Sequence, residues 1–283
     1  MTSVIESRPT RRQASGATWL AVLELGWREG RRMVLSPAVL LIVGFMVVMG
    51  GVGAVSQLSA PSLPSRAEAY DFIFFIFALY AGLIFYVACH LVASSARRTK
   101  AEGQLQASPL SSRARSAGLC VGVVMGPGLV AAVAMVTLAL LGNDLALVYG
   151  SDRPAAVAEL VQLALTVIGA GLFAVMCATW LRFPGSLPLG LVALVFGTIL
   201  MSDAERTPIN TWPWFAPYIA SPDWIDDVWT LMGSQVWHAV YLAGLCTLAF
   251  CVVMLREREG RVRWLFISAG VLGATALAGA LQL

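Results

Sequence analysis

The amino-acid sequence predicts an all-α integral membrane protein, with a six-helix core, a seventh span at the C-terminus and an interfacial helix before the first span. Three observations carry that reading. Of the 283 residues, 58% are hydrophobic and only 12% are charged, about half the share that covers a water-facing domain. The charges also fall between long runs and not within them. Residues 38–65, 72–96, 116–143, 160–181, 183–202, 228–255 and 264–283 contain no Asp, Glu, Lys or Arg. A membrane helix needs ~20 such residues, and these seven runs supply them. Finally, the basic residues are sorted. With the N-terminus in the cytoplasm, sixteen of the nineteen Lys and Arg fall inside, and only Arg66, Arg153 and Arg206 fall outside. Basic loops stay on the cytoplasmic side, so the chain is expected N-in, with its C-terminus out if the last run crosses.

Taken in order, residues 1–16 read as a disordered cytoplasmic tail, with no cleavable leader because a long charged segment precedes the first apolar run. Residues 17–36 are amphipathic: Leu20, Leu23, Trp27 and Val34 share a helical face, and Arg28, Arg31 and Arg32 lie elsewhere. A basic amphipathic helix of this kind lies in the membrane interface, although an ordinary basic flank would look similar. Pro37 separates it from the transmembrane region 37–283, whose spans are expected at about 38–56, 72–96, 116–141, 160–181, 185–202, 234–255 and 264–282.

The second span is aromatic, and Phe74, Phe77, Tyr80 and Phe85 are candidates to line a substrate pathway by stacking and dispersion. In the third span Gly118, Gly122 and Gly126 recur every four residues before Pro127, a spacing that permits close helix approach and a kink. Arg182-Phe183-Pro184-Gly185 is a tight turn between spans four and five. The extracellular segment 203–227 is too apolar for a solvated linker. Trp212, Trp214, Trp224 and, just beyond, Trp229 are expected to cap the outer leaflet, since tryptophan prefers the membrane interface.

Several chemistries lack their residues. The single lysine, Lys100, is followed by Ala101, so there is no phosphate-binding Gly-Lys-Ser/Thr loop, and the chain is expected to be no enzyme. The spans hold no carboxylate or basic residue, and only His90 and His238 could titrate near neutral pH. Ser234 and His238 stand one helical turn apart without an evident orienting acid. The five cysteines lie inside apolar runs with no metal-ligand spacing. No catalytic residue, metal, cofactor or nucleic-acid partner is therefore expected. Arg outnumbers Lys eighteen to one, the usage of a GC-rich bacterial genome, and the expected location is a bacterial cell membrane.

The loop between spans two and three reads Arg97-Arg98-Thr99-Lys100-Ala101-Glu102-Gly103-Gln104-Leu105-Gln106-Ala107-Ser108-Pro109-Leu110-Ser111-Ser112-Arg113. It resembles the intracellular loop of ABC-2 type transporter permeases, in which basic residues lead into an acidic or glycine position. A short Leu-bearing helix, a Ser/Thr-Pro-Leu/Val-Ser turn and more Arg follow. Its helix is up to a turn shorter and, through Gln104 and Gln106, more polar than the commonest family pattern. The similarity extends in architecture over residues 17–255 and in motif over 97–115.

The resemblance implies a permease subunit that pairs with a second permease and exports a hydrophobic or amphipathic compound. A separate cytoplasmic ATPase would power it. The loop residues Arg97, Arg98, Lys100, Glu102, Gly103, Leu105, Ser108, Pro109 and Arg113 would then seat on that ATPase, with Leu105 as an apolar knob and Pro109 ending the helix. Two other readings stay open: a non-transporting scaffold or sensor subunit of a larger complex, and arginines that merely hold the loop against anionic lipid.

Overall fold

A computed structural model describes residues 13–41, 44, 80–95, 99, 110–136, 155–202, 234–257 and 260–282. Among them the regular structure is entirely helical. We label the helices α1 (Gln13–Val34), α2 (Gly82–Ala93), α3 (Ser112–Val136), α4 (Ala155–Trp180), α5 (Ser186–Ser202), α6 (Gln235–Leu255) and α7 (Arg261–Leu281). Four stretches are long and apolar enough to cross a membrane: Ser112–Val136, Val161–Trp180, Val236–Leu255 and Arg261–Leu281. Lipid offers backbone groups no hydrogen bonds, so such segments satisfy them internally as helices. The chain thus has the character of a multi-pass membrane protein. Gly82–Ala93 and Ser186–Gly197 are shorter apolar helices, and most of the first expected span and the start of the second lie outside the described residues.

Local chemistry sets the helix ends. α1 starts at Gln13, four residues before the expected Ala17, and stops before Ser36 and Pro37. The Ser36 hydroxyl accepts from the Val39 amide at 3.4 Å, and Pro37 occupies a first-turn position that needs no amide proton, so a new helical stretch begins there. Ser111, in extended conformation, caps α3 by accepting from the Ala114 amide at 3.1 Å. Within α3, Pro127 removes an amide donor, and the chain widens into a π-helical stretch over Val124–Gly128. The kink expected from Pro127 is therefore a bulge with Gly126, Pro127 and Gly128 buried. Between α6 and α7 the reversal uses Gly260 at φ 68°, a left-handed conformation that glycine adopts without steric cost.

α4 is the central helix, with Leu163, Val167, Ala170, Ala174 and Val175 buried among neighbours from α2, α3, α5 and α6. Small residues set how near these neighbours come. Gly171 faces Val123 of α3 and Cys89 of α2 at distances that leave no room for a Cβ. Gly190 of α5 lies under the Tyr86 hydroxyl, and Gly244 of α6 lies under Thr275 of α7.

Contacts between specific residues give the helix directions. Gly128 and Val123 of α3 meet Ile168 and Gly171 of α4, which makes that pair antiparallel, and Leu165 and Trp180 of α4 meet Cys246 and Val252 of α6, which makes this one parallel. Helices α3 to α7 thus alternate in direction. One end gathers the end of α2, the start of α3, the α4–α5 turn and the α6–α7 turn. All described arginines outside α1 (Arg113, Arg115, Arg182, Arg256, Arg261 and Arg263) lie at this end.

α1, expected as an interfacial helix, has a helix partner in the described structure. It is packed lengthwise on α3 through the glycines of both helices. A Cβ at Gly26 would meet Val121 at 2.6 Å and the Gly118 carbonyl at 3.3 Å, and one at Gly30 would meet the Gly122 carbonyl at 2.6 Å. Residue numbers rise together along this seam, so the two helices run in the same direction. The Gly118-Gly122-Gly126 series thus performs the close packing expected of it, with a helix that the sequence pattern laid flat in the interface.

Candidate functional site

The arginine-rich end carries both roots of the 97–113 loop. On the α2 side, Ser94 is buried and its hydroxyl donates to the His90 carbonyl at 2.7 Å. On the α3 side, the Ser111 cap is followed by Ser112, whose hydroxyl donates to the Glu257 carboxylate. The Arg113 guanidinium sits 5.5 Å from the centroid of the Trp264 ring, within cation–π range. Trp264 in turn meets Phe250 edge-on at 5.7 Å. The Trp180 indole donates to the Val252 carbonyl at 3.0 Å, and Arg256 donates to the Thr179 carbonyl. Four helices, α3, α4, α6 and α7, are laced together where the loop leaves the bundle.

Arg113, assigned by sequence to the loop, stands in the first turn of α3 and holds the base of α7. Of the other loop residues, Arg97, Arg98, Lys100, Glu102, Gly103, Leu105, Ser108 and Pro109 lie outside the described residues.

Beside the loop root is a cavity of about 570 Å³ between the end of α2 and the α4–α5 turn, lined in part by His90, Ser94, Arg182, Phe183, Ser186 and Leu187. His90 and Ser186 are buried, with Nε2 and Oγ 3.2 Å apart. One turn back, the Tyr86 hydroxyl donates to the Leu187 carbonyl at 3.4 Å. This polar ladder fastens α2 to the start of α5, and its tight seat under Gly190 exists because that position has no side chain. The carboxylates of Glu24, Glu29 and Glu257 are engaged with Arg28, Arg32 and Ser112. The geometry is that of a structural clamp between α2 and the start of α5.

The opposite end has its own tie. His238 Nδ1 lies 3.0 Å from Gln282 Oε1, both residues fully buried, and the Ser234 amide donates to the Gln282 carbonyl at 2.8 Å. Ser234 caps α6 by accepting from the Trp237 amide at 3.5 Å. The Ser234–His238 spacing noticed in the sequence thus serves to dock the end of α7. Gln282 carried no sequence signal beyond being polar near the end of an apolar run.

Of the aromatic candidates in the second span, Phe85 is buried against Val39, Ala131 and Val167, where it packs and offers no open face. Tyr80 is exposed, and Phe74 and Phe77 lie outside the described residues, as do Trp212, Trp214, Trp224 and Trp229. Among the described residues no group of three or more His, Cys, Asp or Glu is placed to hold a metal ion.

One polar feature escaped the sequence pattern. Arg32 donates to both Glu29 oxygens at 2.9 Å, and the Glu29 side chain, 15% exposed, rests against Gly122 of α3. Ionisable groups absent from every charge-free run are thereby brought alongside a membrane-length helix. The visible signal was the pair Gly26 and Gly30, spaced like the glycines of α3.

Comparison with family models, with curated proteins and with solved structures finds no match for the chain.

Proposed function

We propose that this chain is the membrane-spanning permease subunit of an ATP-driven exporter of the ABC-2 type, moving a hydrophobic or amphipathic compound out of a bacterial cytoplasm. The observation that carries the reading is the loop sequence from Arg97 to Arg113, resembling the ATPase-facing loop of such permeases, together with its position at the arginine-rich end. That end is cytoplasmic in this proposal, because basic segments are retained there. Both loop roots are fastened to the bundle: one through His90 and its Ser186 partner, the other through Ser112 and Arg113. A protruding element transmits force to the spans only if its base does not yield, and the lacing of α3, α4, α6 and α7 supplies a stiff base. The partners are a cytoplasmic ATPase subunit, which provides the energy, and a second permease subunit. The first expected span, much of the second and the outer tryptophan segment complete the pathway.

Leu105→Asp tests the coupling. The variant is expected to insert in the membrane normally and to lose complex formation with the ATPase or substrate-stimulated ATP hydrolysis, because an apolar knob at the contact becomes a buried charge. Normal assembly and coupled turnover would refute the proposal and return the chain to the scaffold or sensor class.

A further inference from the structure

α1 has three sides, because each residue advances ~100° around a helix. One side, with Val22, Gly26, Gly30 and Met33, packs into the bundle. The next carries Trp19, Leu20, Leu23 and Trp27, all exposed. The third carries Glu24, Arg28, Arg31 and Arg32, also exposed.

The seam with α3 sets the depth of these charges. The charge-free part of α3 begins at Ser116, and the seam reaches Gly126 opposite Gly30. Ten residues of helix rise about 15 Å, half of a hydrocarbon layer ~30 Å thick. Arg28, Arg31 and Arg32 therefore stand beside the inner half of a membrane-length helix, on the side of α1 turned away from it. Charged side chains at such depth face water or a ligand, not hydrocarbon. Their charges are unequal: Glu24 pairs with Arg28 and Glu29 with Arg32, which leaves Arg31 as the α1 arginine with no ion pair among the described residues.

We propose that the charged side of α1 walls a water-filled cleft at membrane depth that takes the phosphate-bearing head of an anionic amphiphile. Arg31 receives the head, and the adjoining Leu20, Leu23 and Trp27 carry its hydrocarbon. The site does not depend on the ATPase and is tested without it.

The full chain is placed in phosphatidylcholine vesicles with spin labels at Arg31→Cys or Leu129→Cys. The five native cysteines are buried, and the unsubstituted chain sets the background. A water-soluble nickel chelate is expected to relax the label at 31, whereas oxygen dominates at 129, three residues beyond Gly126. Equal shallow exposure at both positions would lay α1 on the surface and overturn the proposal. An immobilised label at 31 beyond reach of the chelate, as under a covering protein, would overturn it too.

The ligand is probed with photoactivatable phosphatidylglycerol and phosphatidylcholine. Crosslinking to α1 is expected to favour the anionic lipid, and Arg31→Gln should lower that preference about fivefold, the effect of one basic residue on anionic lipid. Arg31→Lys should retain it, and Arg182→Gln at the far cavity should leave it unchanged. Competition by added dodecyl phosphate would show a cleft open to free amphiphiles, and its absence a site filled from the bilayer. No preference between the two lipids, or a preference indifferent to Arg31→Gln, would refute the assignment.

Discussion

Substitution of Gly30 by alanine puts the α1–α3 seam under direct test. The added Cβ would stand 2.6 Å from the Gly122 carbonyl oxygen and 3.0 Å from the Gly126 amide nitrogen, and ordinary contact begins at 3.4 Å. Both neighbours are backbone, so no side chain can swing aside, and the helices must part by about 0.8 Å. A gap of that size forfeits a quarter to a half of the dispersion between the atoms involved, and overpacking a close contact costs about 1–3 kcal/mol. Alanine also gains ~1 kcal/mol of helix propensity over glycine, which would mask part of the loss.

Gly270→Ala isolates the clash. Position 270 lies within α7 with nothing within 4 Å of its would-be Cβ, so only the propensity gain operates there. The two variants should differ by the clash alone, about 1–3 kcal/mol. The assay is SDS titration of the detergent-solubilised full chain, followed by helical circular dichroism. Equal unfolding midpoints would refute the seam. Pairing Gly30→Ala with Gly126→Ala refines the test: once one Cβ has parted the helices the second costs less, so the double variant should fall short of additivity.

Arg113→Ala and Trp264→Ala, combined in a double-mutant cycle on the same titration, should show a coupling of about 0.5–2 kcal/mol, and none if Arg113 belongs to a free loop. His238→Leu leaves the buried Gln282 amide without its ring partner and should cost about 1–3 kcal/mol, read as earlier proteolysis of the end of α7 at rising temperature. Leu283→Cys should react with an impermeant maleimide added to intact cells, as the N-in arrangement with a crossing seventh span requires. Labelling only after permeabilisation would show that α7 does not cross.

Helix positions were legible in the sequence to within a few residues. The charge-free run 160–181 became Ala155–Trp180, the run 264–283 became Arg261–Leu281, and Pro37, Pro127 and Arg182–Gly185 each interrupt a helix where expected. The stop signals are local too, since proline lacks an amide donor wherever it occurs. The sites were less legible. Arg113 looked like one more basic loop residue, and its pairing with Trp264 joins positions 151 residues apart. The loop resemblance named residues that lie mostly outside the described structure.

What the sequence by itself determined is the membrane class, the extent of the long helices and the sorting of arginines toward one end. Those follow from a constraint that acts along one dimension: a segment in lipid must be apolar, long enough and internally hydrogen-bonded. Only the tertiary structure decided which helix faces meet. Gly26 and Gly30 have no meaning until Gly122 and Gly126 stand opposite them, and His238 finds Gln282 only when α7 folds back along α6. Side-by-side packing of helices depends on distances between non-local atoms, and that is why Glu29 and its partner Arg32 came to stand alongside α3 in a chain whose apolar runs contain no charge.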